Sequence, residues 1–172
     1  CGKGSAYEGG IREPMIVRWP GTVQPGTRCN DYLIIEDFYP SILEMAGIDD
    51  YDVPQEIDGI SFVPLLKQTK NHSQGRSLYW NCPNIWGEKG PGIGPSCTIR
   101  KDNWKMIYFY ETGEKELYDI PNDTEENNNV AALYPQIINK LSKELGKFLR
   151  QTNGQRPSFK KTGKPCPWPD EI

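Results

Sequence analysis

The sequence predicts an α+β fold in which a small antiparallel sheet is packed by a helix. Residues 77–119 contain short runs rich in β-branched and aromatic residues, separated by turn signals. Residues 35–46 and 133–149 instead repeat apolar residues at helical spacing. Because turn sequences at 101–103 and 111–114 connect neighbouring runs as hairpins, we expect three or four antiparallel strands.

The composition excludes several classes of protein. The 172 residues carry a formal net charge of −3, which is too mild to indicate a nucleic-acid-binding domain. Hydrophobic residues make up 36% and aromatic residues 11% of the chain, so a core can form and wholesale disorder is excluded. No apolar run approaches the ~18 residues that a membrane-spanning helix needs. The 17 glycines and 15 prolines indicate a chain rich in turns.

The cysteines do not form a recognisable framework. The five are scattered without a C-x-x-C pair, and His72 is the only histidine, so a zinc site of the Cys/His type is not expected. One or two disulfides remain open, and the shortest loop would join Cys82 to Cys97. The cysteines that complete the set are Cys1, Cys29 and Cys166.

The chain opens on a glycine-rich segment. Glycine occupies four of the first ten positions, where it supplies positive φ angles or lets the backbone approach a ligand. Residues 15–17 (MIV) are predicted to form a short buried strand bounded by Pro14 and by residues 20–21 (PG). The opening of the chain within a loop leads us to expect the C-terminal fragment of a longer protein.

The first helix is predicted over residues 35–46. Glu36 and Asp37 suit its N-terminal end, and Gly47 is placed to end it. The apolar stripe on which this prediction depends consists of Ile35, Phe38, Tyr39, Ile42, Leu43 and Ala46. Residues 62–66 (FVPLL) are expected to form a short anchoring turn of helix.

The second half of the chain is predicted as strands followed by a helix. The expected strands are residues 78–80, 97–100, 104–109 and 116–119. The stripe of the helix, which should cover one face of the sheet, consists of Leu133, Ile137, Ile138, Leu141, Leu145, Phe148 and Leu149. The last twenty residues are basic and proline-rich, and we expect a tail that lies on the surface or is disordered.

Several segments together resemble the sulfatases, the formylglycine-dependent sulfuric ester hydrolases of the alkaline phosphatase superfamily. Residues 3–14 (KGSAYEGGIREP), followed by the WPG of 19–21, carry the strongest similarity. It continues in the same order along the chain, over about residues 1–150. The further matching segments are 36–43 (EDFYPSIL), 58–61 (DGIS), 64–66 (PLL), 98–107 (TIRKDNWKMI), 116–119 (ELYD), 123–126 (DTEE) and 129–131 (NVA).

The resemblance implies a division of the chain into three parts. Residues 1–75 would be the end of an alkaline-phosphatase-like α/β catalytic domain. Residues 76–150 would form its C-terminal subdomain of antiparallel sheet and helix, and residues 151–172 a basic, proline-rich tail. The upstream remainder of the same catalytic domain would then be the partner of this chain, and no nucleic acid or membrane is expected as a partner.

The resemblance also implies a reaction. Family members hydrolyse sulfate esters of aryl or glycan substrates with a formylglycine and a divalent cation, usually calcium, and both would be held by residues upstream of this chain. The position present here is Lys3, which matches the family lysine that contacts a sulfate oxygen. An ammonium group there would stabilise negative charge that builds on the sulfuryl oxygens. We expect a periplasmic or secreted protein, and no catalysis by these 172 residues alone.

The loop after the first strand is a candidate substrate-binding element. In relatives with a similar stretch, histidines at the positions of Asn81 or Asn84 face the substrate, and this sequence has asparagine at both. If the loop binds substrate, Trp86 could stack on a sugar or aryl face. The alternative is a structural loop.

Other polar residues are expected to have ordinary roles. Glu8, Arg12 and Glu13 lie near Lys3 in sequence and are predicted to fix the loop through hydrogen bonds. His72 is predicted to be a solvated loop residue. The acidic residues at positions 49–52 are expected to form a solvated turn and not a cation site.

Two other functions remain open at this stage. One is a non-catalytic carbohydrate-binding or interaction module that shares only the fold of the subdomain. The other is a phosphohydrolase relative, since the phosphate and sulfate members of the superfamily share an architecture. The segment from Lys3 to Gly21 favours the sulfatase, because it has no evident use in a free-standing binder.

Overall fold

The computed structural model describes residues 2–48, 50, 52–68, 75–85 and 90–172. The chain forms two compact units. One unit combines Cys1–Glu13 with Ser77–Ile172, and the other consists of Pro14–Arg76. The division into three domains stays a prediction, and the compact units place the glycine-rich opening segment with the sheet.

The first unit is built on a four-stranded antiparallel sheet in the order β1-β2-β3-β4. Both the predicted number of strands and the predicted hairpin connections are confirmed. The strands are β1 Ser77–Cys82, β2 Ser96–Lys101, β3 Trp104–Phe109 and β4 Lys115–Asp119. The register sets Trp80 opposite Thr98, Thr98 opposite Ile107 and Ile107 opposite Glu116, so these four residues share one face. We call it the loop face, because α1 (Glu8–Ile11) and the opening segment pack on it.

The opposite face, here the helix face, holds the main core. Helix α4 (Pro135–Gln151) buries Leu141, Leu145 and Leu149 at spacings of four residues. The sheet residues in this core include Cys97, Ile99, Met106, Tyr108 and Leu117. The predicted helix is thereby confirmed, although Leu133 lies before its first residue and is 71% exposed.

The C-terminal tail packs into the same core. Cys166 is 3% and Trp168 is 7% exposed, and both belong to the cluster between sheet and helix. The Tyr108 hydroxyl donates to the Pro167 carbonyl at 2.9 Å. The expectation of a surface-lying or disordered tail is therefore wrong for this stretch. Its few apolar side chains are too widely spaced for a periodic pattern, yet they suffice to anchor it.

The second unit is organised around Asp37, which is fully buried. It contains the 3₁₀ turn Ile35–Asp37, α2 (Phe38–Met45) and α3 (Val63–Leu66), so both predicted helices are confirmed. The Asp37 carboxylate accepts hydrogen bonds from both terminal nitrogens of Arg76, at 2.7 and 2.6 Å. It also accepts hydrogen bonds from the backbone amides of Ile34 at 3.0 Å and Ile60 at 2.9 Å. The carboxylate therefore joins the start of the first helical segment to the segments that contain Ile60 and Arg76.

Residues 15–17 do not form the predicted buried strand. They have no strand assignment, and Ile16 is 96% exposed. A strand requires a neighbour for its backbone hydrogen bonds, and no described strand pairs with this segment. Its apolar residues alone do not make it a strand.

Candidate functional site

Lys3 occupies the first central position of a tight turn. The Ser5 amide donates to the Gly2 carbonyl at 3.1 Å, which closes a four-residue turn around Lys3 and Gly4. Gly4 has a φ of +90°, the value that the second central residue of a type II turn requires. Lys3 is exposed, so its ammonium group is free to reach outward from this turn.

The turn is tied to a second glycine-rich segment. The Ala6 amide donates to the Gly92 carbonyl at 2.9 Å, which joins the opening segment to the connection between β1 and β2. Gly92 has a φ of +69°, and a Cβ atom there would lie 2.6 Å from Ser5 Oγ. Only glycine permits this close approach, and the two segments therefore form one continuous wall.

Helix α1 packs against the Lys3 turn with no room for a side chain. A Cβ atom on Gly10 would lie 2.2 Å from the Ser5 carbonyl oxygen and 2.9 Å from that of Gly2. The Gly10 amide donates to the Tyr7 carbonyl at 2.8 Å, and the Arg12 amide donates to that of Glu8 at 2.8 Å. Turn and helix are thus one packed element.

A buried group of charges holds α1 on the loop face. Lys105 is fully buried, with Nζ 3.0 Å from Glu8 Oε1 and 2.9 Å from Glu126 Oε1. Arg100 Nη1 lies 3.1 Å from Glu8 Oε2. The second Glu126 oxygen accepts the Glu8 backbone amide. These contacts give Glu8 the predicted structural role of fixing the loop. Arg12 lies 4.0 Å from the same carboxylate. Glu13 is exposed.

A cleft opens between the Lys3 turn and the sheet. Its volume is about 210 Å³, below the ~300 Å³ at which small-molecule pockets begin, so the cleft by itself is too small for most small-molecule ligands. Gly4, next to Lys3, lies on one side, and Trp80 of β1 and Asn84 lie on the other. The described lining residues include no carboxylate and are Gly4, Ser5, Ala6, Gly10, Ile11, Trp80, Cys82, Asn84, Gly94, Ser96 and Thr98.

A neighbouring groove has the opposite electrostatic character. It measures about 290 Å³ and is lined by Tyr7 together with Glu111, Glu114 and Glu116. The Tyr7 hydroxyl donates to Glu116 Oε2 at 2.9 Å, and burial together with this carboxylate raises the pKa of Tyr7 to about 12. The carboxylates would repel a sulfate group. Electrostatics therefore favours the cleft beside Lys3 for an anionic ligand.

The structure separates the sequence-predicted site residues. Asn84 lines the cleft, next to the turn that carries Lys3. Asn81 lies on the helix face, where its side-chain nitrogen donates to the Gln155 carbonyl at 2.8 Å and its oxygen accepts the Tyr110 hydroxyl at 2.9 Å. Both ends of the Asn81 amide therefore make structural contacts, and its role in substrate binding stays a prediction. Trp86 lies outside the described residues, as do Cys1 and His72.

Sequence reasoning missed three residues that line the cleft. Trp80, Ser96 and Thr98 belong to predicted strands, but nothing in the sequence alone assigns either face of β1 and β2 to a ligand. Ser96 is 3% and Thr98 is 2% exposed, at the bottom of the cleft. Strand alternation predicts that Trp80 and Cys82 lie on one face of β1 and Asn81 on the other, but it does not predict which face borders a cleft.

The same alternation decides the cysteine pairing. Cys82 faces the cleft, whereas Cys97 is buried in the core on the helix face, so the bridge left open by the sequence does not form. The four described cysteines, Cys29, Cys82, Cys97 and Cys166, are all free thiols. Burial raises the pKa of Cys97 to about 12, which makes this thiol inert.

The described residues offer no metal centre and no membrane span. No group of three or more His, Cys, Asp or Glu side chains in this part of the chain is arranged to hold a metal ion. Among the helices described here, none combines the length and the hydropathy needed to cross a membrane.

Comparison with known proteins identifies the class to which this fold and site belong. Residues 2–152 match the family described as N-sulphoglucosamine sulphohydrolase, C-terminal. The match extends over most of the chain, and the chain therefore belongs to this family of sulfatase C-terminal regions. The resemblance to the sulfatases predicted from the sequence motifs is confirmed.

Individual relatives agree with this assignment. The chain is 28% identical over 180 residues to a sulfatase of Formosa agariphila, covering 97% of the chain and 32% of that protein. It is 30% identical over 149 residues to arylsulfatase K of Xenopus laevis, covering 83% of the chain and 27% of that protein. The chain thus spans about a third or less of the length of these relatives.

The fold also matches a solved structure. The crystal structure of Ps i-CgsB in complex with k-i-k-neocarrahexaose gives a TM-score of 0.72 at 27% identity. The match covers 92% of this chain and 33% of the other. The predicted fold class, an α+β C-terminal portion of an alkaline-phosphatase-like sulfatase, is confirmed.

Proposed function

We propose that this chain is the C-terminal portion of a sulfuric ester hydrolase and supplies one side of its sulfate-binding pocket. The observation that carries the proposal is the family match over residues 2–152, which includes the Lys3 turn and the cleft beside it. Since the chain spans about a third or less of its relatives, the activity is proposed for the whole protein and not for these residues alone.

Lys3 is the residue proposed to act on the sulfate group. Its ammonium would donate hydrogen bonds to a sulfuryl oxygen and stabilise the charge that develops as the ester bond breaks. The type II turn supports this role, because it leaves the Lys3 side chain exposed while the hydrogen bond from the Ser5 amide to the Gly2 carbonyl closes the turn around it. The uncharged cleft beside it supports an anionic ligand, whereas the groove lined by Glu111, Glu114 and Glu116 does not.

The nucleophile and the metal are proposed to lie outside this chain. Family members use a formylglycine as nucleophile and hold a divalent cation, usually calcium. The part of the chain described above brings together no group of three or more metal-binding side chains. The contribution of this chain would be to orient the sulfate and to form the pocket wall.

The exposed apolar residues of the second unit support a partner. Seven of the large hydrophobic residues that are exposed in the described structure lie in this unit of 63 positions, against three that form its buried apolar core. The exposed residues are Met15, Ile16, Ile35, Tyr39, Ile42, Ile48 and Ile60. The described part of this unit thus leaves more large apolar side chains exposed than it buries, which supports a covering partner. We propose that the upstream remainder of the catalytic domain covers it.

The proposed substrate is a sulfated small molecule or glycan. Asn84 would meet the part of the substrate beyond the sulfate group, since it lines the cleft near the Lys3 turn. Trp86, two residues further along, is proposed to stack on a sugar or aryl ring. Support for a glycan comes from Ps i-CgsB, which is solved with a neocarrahexaose. A periplasmic or secreted location is proposed from the family resemblance.

Substrate comparison tests the proposed function. The full-length natural protein would be assayed on an aryl sulfate, a sulfated oligosaccharide and the matching aryl phosphate, with release of sulfate or phosphate as the readout. The expected result is sulfate release with no comparable rate on the phosphate. Faster release of phosphate would indicate a phosphohydrolase, and glycan binding without hydrolysis would indicate a binding module. Either result would overturn the proposal.

A further inference from the structure

We propose that Lys105 and Glu126 are positioning residues that hold the Lys3 turn at the sulfate-binding pocket. The proposal rests on the proposed function, because it assigns Lys3 to the sulfate group. Neither residue lines the cleft, and both belong to the sheet part of the first unit, far along the chain from Lys3. The geometry points to them through the buried charges beneath α1.

The charge group connects three separate parts of the chain. Glu8 comes from α1, Arg100 and Lys105 come from the β2–β3 hairpin, and Glu126 comes from the segment after β4. Each of the two carboxylates therefore has at least one cation in direct contact. Lys105 is the centre of the group, because its ammonium bridges Glu8 and Glu126 while its side chain is fully buried.

Glu126 makes two contacts in this group, an ion pair with Lys105 and a hydrogen bond with the backbone of α1. One of its oxygens faces Lys105, and the other accepts the amide of Glu8 in the first turn of α1. Its own backbone has a φ of +56°, a conformation that costs a non-glycine residue about 1 kcal/mol or more. The fold therefore holds a strained residue in place to direct this carboxylate at α1.

Stability alone is a poor explanation for such a group. A buried ion pair often gives no more stability than well-packed hydrophobic residues of similar volume, because the charges lose their hydration. Burial and the neighbouring Glu8 charge raise the pKa of Glu126, although Lys105 and the Glu8 amide act in the opposite direction. What the group supplies is a fixed geometry, since each contact is directional.

The fixed geometry reaches Lys3 through a short, rigid connection. Glu8 is five residues from Lys3, and Gly10 of the same helix packs directly on the carbonyl oxygens of Gly2 and Ser5. A shift of α1 on the sheet would therefore move the turn that presents Lys3. A displacement of about 1 Å at a reacting group can lower a rate by roughly 100-fold.

A double-mutant cycle in the full-length protein tests the proposal. We would measure kcat and KM for an aryl sulfate in the wild type, Lys3→Ala, Lys105→Met and the double variant, each corrected for its folded fraction. If Lys105 acts through Lys3, removing Lys3 should lower kcat about 100-fold in the wild type but less than about 10-fold in the Lys105→Met background. An equal loss in both backgrounds would overturn the proposal.

Two further variants keep the result interpretable. Glu126→Gln retains the shape of the side chain and an acceptor for the Glu8 amide. If Lys105→Met does not fold, Glu126→Gln replaces it in the double-mutant cycle. Lys101→Met is the matched control, because Lys101 pairs with Glu144 at 2.8 Å on the helix face of the same hairpin. The Lys3→Ala effect should be unchanged in that background. A wild type without sulfate-ester hydrolysis would remove the proposed function and this inference together, whereas hydrolysis with equal losses would remove the inference alone.

Discussion

At the scale of single residues, Asp37 shows how one buried carboxylate organises the second unit. Burial would raise its pKa, but the hydrogen bonds from Arg76 and from the amides of Ile60 and Ile34 outweigh burial and lower the pKa below its ordinary value of 3.8. Charged hydrogen bonds of this bidentate kind are among the strongest in proteins. The carboxylate is therefore a structural hub, and its ionised form is the one that the fold stabilises.

Replacing Asp37 should loosen this unit. The Asp37→Asn variant leaves the half-buried Arg76 without a counter-charge, which we expect to cost about 3 kcal/mol or more in local stability. Amide hydrogen exchange of peptides covering residues 31–45 and 58–66 in the full-length protein would measure the effect. Asp58→Asn, at an exposed position of the same unit, should change protection by less than ~0.5 kcal/mol. Equal protection in both variants would contradict the role assigned to Asp37.

The same carboxylate predicts a pH dependence. Since the pKa of Asp37 is lower in the folded than in the unfolded state, its stabilisation is present above the unfolded value of about 4. It should be lost as the pH falls through the lower folded value. Hydrogen exchange of residues 31–45, corrected for its intrinsic pH dependence, should show protection that falls below pH ~4. The Asp37→Asn variant should lack this change, and a protein whose protection is flat to pH 2 would contradict the argument.

Gly10 gives a steric prediction at the same scale. The Gly10→Ala variant places a methyl group against the Ser5 and Gly2 carbonyl oxygens, so α1 and the Lys3 turn must separate, at a cost of about 1–3 kcal/mol. Faster hydrogen exchange of residues 2–12 in the full-length protein would report it. Gly2→Ala is the matched control, because a Cβ at Gly2 has no atom within 4 Å. Similar exchange in the two variants would show that the packing is not tight.

At the scale of elements, the sequence was informative where side chains alternate or repeat regularly. The four strands and α4 follow from their patterns, because those patterns match the periods of strand and helix. Residues 15–17 show the limit, since an apolar run becomes a strand only beside a partner. The apolar stripe predicted for α2 shows a second limit. Ile35 and Ile42 of that stripe are 74% and 57% exposed, while Ser41 is buried. Periodicity predicted this helix correctly but not which side is covered in the described chain.

The C-terminal tail is the element that the sequence patterns predicted least well. Trp168 packs edge-on against Tyr110, with ring centroids 6.4 Å apart, and the Arg156 guanidinium lies 4.7 Å from the Trp168 ring. Arg150 Nη1 of α4 donates to Asp170 Oδ1 at 3.0 Å. A proline-rich segment without periodicity can thus close a core with two buried side chains. The tail is a structural part of the first unit.

Removing the anchor of the tail should destabilise that unit. Trp168→Ala deletes a large side chain that is 7% exposed, and we expect a loss of about 3–5 kcal/mol. Thermal unfolding of the full-length protein, with hydrogen exchange of residues 155–172 as the local probe, would measure it. Phe159→Ala in the same tail is the control, because Phe159 is 38% exposed and should cost much less. Equal losses would mean that the tail has no specific anchor.

At the largest scale, the family could be predicted from the sequence, together with one residue that lines the cleft. The Lys3 segment and the collinear motifs led to the sulfatases, and Asn84 does line the cleft. Trp80 could not be predicted as a lining residue, because burial on the loop face depends on where the opening segment packs. The joining of Glu8 to Lys105 and Glu126 could not be predicted either, since it links residues about a hundred positions apart.

The most direct test of the central claim is the effect of Lys3 on sulfate-ester hydrolysis by the full-length protein. We predict that Lys3→Ala lowers kcat/KM for an aryl sulfate by about 100-fold or more, since one charged donor to the developing anion is lost. Lys147→Ala, at an exposed position of α4, should leave the rate within about twofold. A Lys3→Ala protein that hydrolyses the ester at the wild-type rate would contradict the claim that this chain supplies a sulfate-contacting lysine.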